Sequence, residues 1–163
     1  EEQQIIEKLK GWSIDKNLWG SNNLEDLQNY LRKSSADLTS LVNHKDFLER
    51  LTTRSGLNPK VVYDVGSSVL SYTKMAHTLW PDCTVVAFEA SETPKFLYDE
   101  YQELHSDQFY YNFGIISDHD NRIVTFYENP YELGGQSYYR EVIRGAVDDI
   151  LYPKSSARTT ISR

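Results

Sequence analysis

The sequence is short of cysteine, of long apolar runs and of a positively charged start. A single cysteine, Cys83, excludes an internal disulfide and favours a reducing compartment, so we expect a cytoplasmic protein. No run of about 18 apolar residues is present, which argues against a membrane span. The chain opens Glu1-Glu2-Gln3-Gln4, which lacks the positive region that begins a secretory signal peptide.

Basic residues are also few, and this limits the partners of the protein. The 17 Lys and Arg residues stand against 24 Asp and Glu, which gives a net charge of −7. Because affinity for a phosphate backbone depends on basic side chains, we expect no nucleic-acid partner. Residues 154–163 lack acids, but their serines and threonines are more typical of a solvated chain end. The only methionine is Met75, so we expect a processed product or a fragment.

The centre of the sequence contains a strand pattern that leads directly into a helical one. Residues 61–63, Val-Val-Tyr, form a run typical of a strand buried on both faces. Asp64 and Gly66 follow, and we expect Ser67 or Ser68 to cap the next helix. That helix has apolar or small residues at helical spacing, which are predicted to be buried: Val69, Tyr72, Thr73, Ala76 and Trp80.

The remaining patterns extend this unit into an α/β domain. A second buried strand is predicted over residues 84–89, a helix over 92–104, a third strand over 109–115 and an antiparallel strand over 123–127. The order β-α-β-α-β followed by an antiparallel hairpin is half of a doubly wound fold. Three helical patterns come before it. We therefore predict an N-terminal helical cap over residues 1–58 and a partial Rossmann-like domain over residues 59–163.

An acid stands at the end of each of the first two strands. Neighbouring parallel strands would place Asp64 and Glu89 about one strand spacing apart on the same rim of the sheet. An ionised carboxylate has only acceptors, so Glu89 can receive both hydroxyls of a ribose. Gly66 lets the backbone approach a ligand closely. These features favour a nucleoside site, and the alternative is an α/β scaffold whose acids merely cap helices.

Two nucleoside ligands fit such a rim, and the loop after the first strand favours one of them. A dinucleotide fingerprint needs three glycines so that a pyrophosphate can lie on the helix N-terminus, whereas residues 66–71 contain one. Asp64 would also repel a pyrophosphate. S-adenosylmethionine has no phosphate, and its ammonium and sulfonium groups are cationic. An anionic loop therefore favours the methyl donor.

The segment from about Val61 to Val142 resembles the FkbM-type methyltransferase domain, a class I, S-adenosylmethionine-dependent fold. Five stretches are similar to motifs of that family: 62–66 to the first strand with its D-x-G turn, 85–89 to the second strand, whose glutamate takes the ribose, 111–118 to the third motif, and 124–127 with 134–141 to a later strand and its serine-bearing loop. The resemblance implies a Rossmann-like class I methyltransferase sheet and S-adenosylmethionine as cofactor.

The resemblance also implies roles for individual residues. Asp64 and residues 66–68, Gly-Ser-Ser, would hold the methionine end of the cofactor, and Glu89 the ribose. Asn112, Gly114 and Ile115 would line the adenine. The implied reaction is O-methylation of a hydroxyl on a glycan or small molecule. No general base is nominated, and the four histidines show no ligand spacing, so no metal site is predicted.

Two departures from the family shape these expectations. The family has a second glycine where this chain has Ser68, and a left-handed serine would cost about 1–2 kcal/mol. The family also continues with a fourth strand bearing a D-x-x-G-x-E-like motif, where this chain has its polar tail. We therefore expect a truncated domain whose first strand is covered by a partner, by the missing half or by a substitute strand from the Phe126 or Tyr138 regions, or else a protein of poor solubility.

Two other functions compete with a methyltransferase. One is a non-catalytic half-domain or remnant that binds a nucleoside or a protein partner, which Ser68 and the apparent truncation favour. The other is a nicotinamide-dependent dehydrogenase, which requires the phosphate cradle that this loop lacks.

Overall fold

A computed structural model describes residues 1–13, 16–116, 123–128 and 156–161, the last two segments by their backbone. The helices are α1 (Glu2–Trp12), α2 (Leu24–Ala36), α3 (Val42–Ser55), α4 (Ser71–Leu79) and α5 (Lys95–Leu104), with short 3-10 turns at Lys16–Gly20 and Thr39–Leu41. The strands are β1 (Val61–Val65), β2 (Thr84–Glu89), β3 (Phe109–Phe113), β4 (Ile123–Glu128) and β5 (Ser156–Ile161). No helix in these ranges has the length and apolar character that crossing a bilayer requires.

The chain divides into two compact units. One contains residues 1–31 and 114–163, and the other contains residues 32–113. In the first unit, α1 and α2 bury apolar residues at helical spacing: Ile6, Leu9, Trp12, Leu27 and Leu31. The predicted division of the chain at residue 58 stays a prediction.

The second unit is built on a parallel three-stranded sheet in the order β1-β2-β3. Asp64 of β1 pairs with Ala87 of β2, and Val85 of β2 pairs with Phe109 of β3. Helices α4 and α5 connect these strands, as the predicted β-α-β-α-β order requires. The structure is therefore an α/β fold with a small parallel sheet, compatible with a Rossmann-like arrangement.

The core of this unit lies on one face of the sheet only. Alternate residues of β2 and β3 bury Val85, Ala87 and Phe109 together with Leu97 of α5 and Met75 of α4. The prediction that β1 is buried on both faces is wrong, because Val61 and Val65 are exposed and Tyr63 is 69% exposed. Among the described residues β1 is an edge strand, and its outward row of side chains has no covering layer.

The antiparallel strand predicted over residues 123–127 is confirmed as β4. Its partner, however, is not the next segment of the chain, as in a hairpin, but a strand near the end of the sequence. β4 pairs with β5, so that Ile123 lies opposite Ile161. The tail predicted to be a solvated end therefore contains a strand, and its Thr159, Thr160 and Ile161 are β-branched residues that favour one. The Phe126 segment does not fill the place beside β1, and the Tyr138 region lies outside the described residues.

Helix α4 begins later than the sequence predicts. Its first residue is Ser71, and the residue before it, Leu70, has φ of 66° and no capping side chain. The prediction that Ser67 or Ser68 caps the helix is therefore wrong, because left-handed residues turn the loop and direct Ser67 toward β2 instead. Tyr72, predicted to be buried, is exposed, while Met75 is buried in its place.

Contacts from α2 and α3 fix the two helices that flank the sheet. Arg32, near the end of α2, donates from Nη2 to Glu100 of α5 at 2.7 Å, and its guanidinium lies over the Phe96 ring. The Trp80 indole donates to Thr52 of α3 at 3.0 Å. Helix α3 itself buries no residue fully, and its Phe47 is 60% exposed.

Candidate functional site

The acids that end β1 and β2 lie on one face of the sheet. Asp64 pairs with Ala87, and Ala87 and Glu89 alternate with Phe88, so Asp64 and Glu89 point to the same side. Both lie at the carboxyl ends of parallel strands, which is where open α/β sheets bind ligands. The structure thus brings together the two carboxylates that the sequence singles out.

Asp64 is an acid in an unfavourable environment. It lies under α4, and the hydroxyl of Thr73 donates to its Oδ2 at 2.6 Å. Burial raises the pKa of the Asp64 carboxyl, and the hydrogen bond from Thr73 offsets part of that rise. A carboxylate held where desolvation opposes its charge is a feature of functional sites, because stability alone would not favour it.

Glu89 joins two loops. Its side chain is only 6% exposed. Oε2 accepts the backbone N–H of Ser68 at 2.8 Å, and Oε1 accepts the backbone N–H of Ser91 at 2.8 Å. The first donor belongs to the loop after β1 and the second to the loop after β2. Glu89 therefore fixes the two loops that would surround a ligand at this edge.

The loop between β1 and α4 uses its own amides for internal hydrogen bonds. Gly66 and Ser67 donate their backbone N–H groups to the carbonyl of Phe88 at 2.8 and 3.1 Å, and Leu70 donates to the carbonyl of Ser67 at 2.7 Å. Ser68 donates to Glu89, as described above. A phosphate cradle needs such amides to point at the anion. Four amides of this loop therefore do not serve a phosphate.

The loop is also turned by left-handed residues. Gly66, Ser68 and Leu70 have φ of 77°, 49° and 66°. Glycine adopts this conformation without penalty, which explains Gly66, but serine and leucine do not. Ser68 thus adopts the left-handed backbone that is unfavourable for a serine.

Tyr98 belongs to this site although the sequence analysis did not select it. Its side chain is buried, and its hydroxyl lies 2.8 Å from Ser67 Oγ and 2.9 Å from the carbonyl oxygen of Ser68. Burial raises the pKa of Tyr98, and the negative charges of Glu89 and then Asp64 raise it further. The feature of the sequence that could have selected Tyr98 is its position one helical turn before a second tyrosine, Tyr101, in α5.

The residues predicted to line an adenine lie on β3 and directly after it. Asn112 pairs with Phe88 and so points to the opposite face of the sheet from Glu89. Gly114 and Ile115 follow β3 directly in the chain and belong to the other compact unit. The roles of these three residues stay predictions.

The fold and the site together define an α/β protein with two acids on one face of a parallel sheet, at its carboxyl edge. Within the described ranges, no three His, Cys, Asp or Glu side chains are grouped as a metal site would need. No protein-family model matches the sequence, and no curated protein matches it significantly.

Proposed function

We propose that the protein binds S-adenosylmethionine at the carboxyl edge of β1 and β2 and is a methyltransferase. The reaction we infer is O-methylation of a hydroxyl on a glycan or small molecule. The observation that carries the proposal is that Asp64 and Glu89 lie on one sheet face beside a loop in which four amides are already engaged. Such a position attracts a cationic ligand and offers little to a phosphate.

Electrostatics supports a cation rather than an anion at this position. Two carboxylates act on the Tyr98 hydroxyl strongly enough to raise its pKa beyond the effect of burial alone. Attraction between opposite charges grows as the local dielectric falls, so a partly buried pair of acids favours a bound cation. The ammonium and sulfonium groups of S-adenosylmethionine satisfy this requirement, whereas a dinucleotide pyrophosphate would be repelled.

The proposed mechanism assigns binding and orientation to the residues of this chain. When bound, S-adenosylmethionine supplies an electrophilic methyl group for in-line attack by a hydroxyl. Asp64 and residues 66–68 of the loop after β1 would hold the methionine end, and Glu89 would hold the ribose. Catalysis then comes mainly from positioning, which can contribute about 7–11 kcal/mol when the geometry is right. The finer fold assignment, half of an FkbM-type class I methyltransferase sheet, is part of the same proposal.

Calorimetry of the purified protein tests the proposal directly. We expect S-adenosylmethionine to bind and the nicotinamide dinucleotide not to bind. Asp64→Asn removes one charge at nearly constant shape and should weaken binding by about tenfold, which is about 1.4 kcal/mol. Glu103→Gln removes one charge from an exposed site on α5 and serves as the matched control. Absence of S-adenosylmethionine binding, or equal affinity in both variants, would refute the proposal.

A non-catalytic role is the second candidate, and one observation favours it. Both oxygens of Glu89 accept backbone amides, so this carboxylate already stabilises two loops without any ligand. If that is its whole role, Glu89→Gln will lower the free energy of unfolding while the parent protein shows no affinity for S-adenosylmethionine. A parent that binds the cofactor and loses affinity in Glu89→Gln supports the methyltransferase instead.

A further inference from the structure

We infer that Tyr98 is a positioning residue of this site, whose hydroxyl holds the turn at Ser67 and Ser68 in the shape that a bound nucleoside meets. The inference rests on the proposed function for the identity of the ligand. The effect on the turn itself does not depend on that identity, so the two can be tested separately.

The two hydroxyl groups at the turn share two protons among three contacts. A carbonyl can only accept, so in its bond of 2.9 Å with the Ser68 carbonyl Tyr98 is the donor. The Ser67 hydroxyl then has its own proton for the Phe88 carbonyl at 3.1 Å or for Tyr98 Oη at 2.8 Å. The Phe88 carbonyl, 3.1 Å from Ser67 Oγ, still receives the amides of Gly66 and Ser67. Every group in this chain of bonds is satisfied.

Ser68 is held at both of its backbone polar groups. Glu89 accepts its N–H, and Tyr98 donates to its C=O. These two bonds lie on either side of a backbone whose φ of 49° is unfavourable for serine. A strained conformation persists only where its surroundings determine it. Tyr98 therefore supplies one of the two restraints that keep Ser68 left-handed.

The Tyr98 hydroxyl is held in position by the packing of its buried ring among aromatic residues. The ring centroid lies 5.0 Å from that of Phe113 and 5.4 Å from that of Tyr111, and Phe109 packs at 6.2 Å. All three neighbours are on β3. The Tyr98 side chain therefore connects the turn at Ser67 and Ser68 to strand β3 of the sheet.

The chemistry of the hydroxyl suits this role. Burial raises the pKa of Tyr98, and the charge of Glu89 raises it further, so the phenol stays protonated and remains a donor. A phenylalanine at position 98 would keep the ring in its cage of aromatic residues and remove only the donor. Tyr101→Phe is the matched control, because Tyr101 lies on the same helix and bonds to His77 away from the turn.

Amide hydrogen exchange followed by NMR tests the turn without any ligand. We expect the Ser68 amide to exchange about tenfold faster in Tyr98→Phe than in Tyr101→Phe, because one restraint on the turn is lost. Adding Ser68→Gly to Tyr98→Phe should slow the exchange of the amide at position 68 again. Glycine adopts the left-handed backbone without strain, so the turn has less tendency to open. Equal exchange in the two tyrosine variants would overturn the inference. Should Tyr98→Phe alone fail to fold, adding Ser68→Gly must restore folding, because a glycine stays left-handed without the lost restraint; a double variant that also fails to fold overturns the inference.

Calorimetry with S-adenosylmethionine tests the consequence for binding. Tyr98→Phe should bind about tenfold more weakly than Tyr101→Phe, and Ser68→Gly in the same chain should restore most of the affinity. A purely structural tyrosine would show no such rescue, and unchanged affinity in Tyr98→Phe refutes the role in binding. If the parent protein does not bind the cofactor, the proposed function fails, while the exchange measurement still decides the role of Tyr98.

Discussion

The structure holds both Asp64 and Ser68 in unfavourable states: the first as a buried acid, the second with a left-handed backbone. Ser68 has a left-handed backbone that costs a serine about 1–2 kcal/mol relative to the ordinary conformation. Asp64 is an acid in a site where burial disfavours its charge. Local features of this kind concentrate at binding sites, where geometry is maintained at the expense of stability. Their meeting at one sheet edge is an argument for a ligand there.

Replacing Asp64 should therefore stabilise the protein at neutral pH. Because the folded state raises the pKa of Asp64 above its ordinary value of 3.8, the folded protein binds the extra proton more readily. The stability gained from this tighter proton binding at Asp64 is complete below the pKa of the unfolded chain. It is lost as the pH rises through the raised pKa of the folded protein. Asp64→Asn, which cannot ionise, should be more stable than the parent at pH 7, and the difference should close near pH 3.

Urea denaturation across this pH range measures the effect. Asp82→Asn is the control, because it removes the same charge from an exposed turn before β2. A difference in unfolding free energy between Asp64→Asn and the parent that does not vary with pH would contradict the assignment of a raised pKa.

Helices α4 and α5 are joined at the opposite end of the sheet by a cluster of rings. His77 Nδ1 lies 2.7 Å from the Tyr101 hydroxyl, and the His77 and His105 ring centroids are 5.1 Å apart. Lys74 lies over the Tyr101 ring, and burial raises the pKa of Tyr101 to about 12.

The ring cluster should make stability depend on pH in the range where histidine titrates. Burial lowers the pKa of His77, and the neighbouring His105 lowers it further. A lowered folded pKa means that the unfolded chain binds the proton more readily, so stability is complete above the ordinary value of 6.5 and falls as pH drops below it. We expect the melting temperature to fall between pH 7 and pH 5, by about 2–4 °C for each kcal/mol lost.

Differential scanning calorimetry of two variants isolates this effect. His77→Gln should flatten the pH dependence, whereas His44→Gln, which changes an exposed histidine on α3, should leave it unchanged. The same slope in the parent and in His77→Gln would show that His77 is not the group responsible.

Among the described residues, one face of the parallel sheet carries an exposed row of apolar and aromatic side chains. Val61, Tyr63 and Val65 of β1 are exposed, and Tyr110 of β3 lies exposed on the same side. Exposed apolar strands at a sheet edge pair with other chains unless charge or proline blocks them. The expectation that β1 requires a covering partner is consistent with this arrangement.

Sedimentation of the chain alone should therefore show concentration-dependent association. Tyr63→Lys places a charge in the middle of the exposed row and should return the protein toward a monomer. Leu104→Lys is the control, because Leu104 is 78% exposed on α5, at a distance along the chain from β1. A monomeric parent with β1 amides protected from exchange would contradict the prediction, since it would mean that another part of the chain covers the strand.

Much of the arrangement at the site was predictable from local patterns. The runs at residues 61–63 and 84–89 predict strands because β-branched and aromatic residues are concentrated there, and both strands form. An acid at each strand end then predicts a shared acidic rim, because parallel strands end at the same edge. The helical spacing after Gly66 predicts α4 within a few residues of its true start.

Other features depended on contacts between residues that are far apart in the chain. The Ser68 carbonyl meets Tyr98 over a separation of 30 residues, and its amide meets Glu89 over 21. Asn112 lies on the opposite face from Glu89 because of the register between β2 and β3, and β4 pairs with β5 across a long intervening segment. Periodicity and composition act over a few neighbouring residues, so they specify helices, strands and their order. Which face a side chain takes, and which distant group it bonds, follows from packing, because the energy of those contacts exists only once the elements have come together.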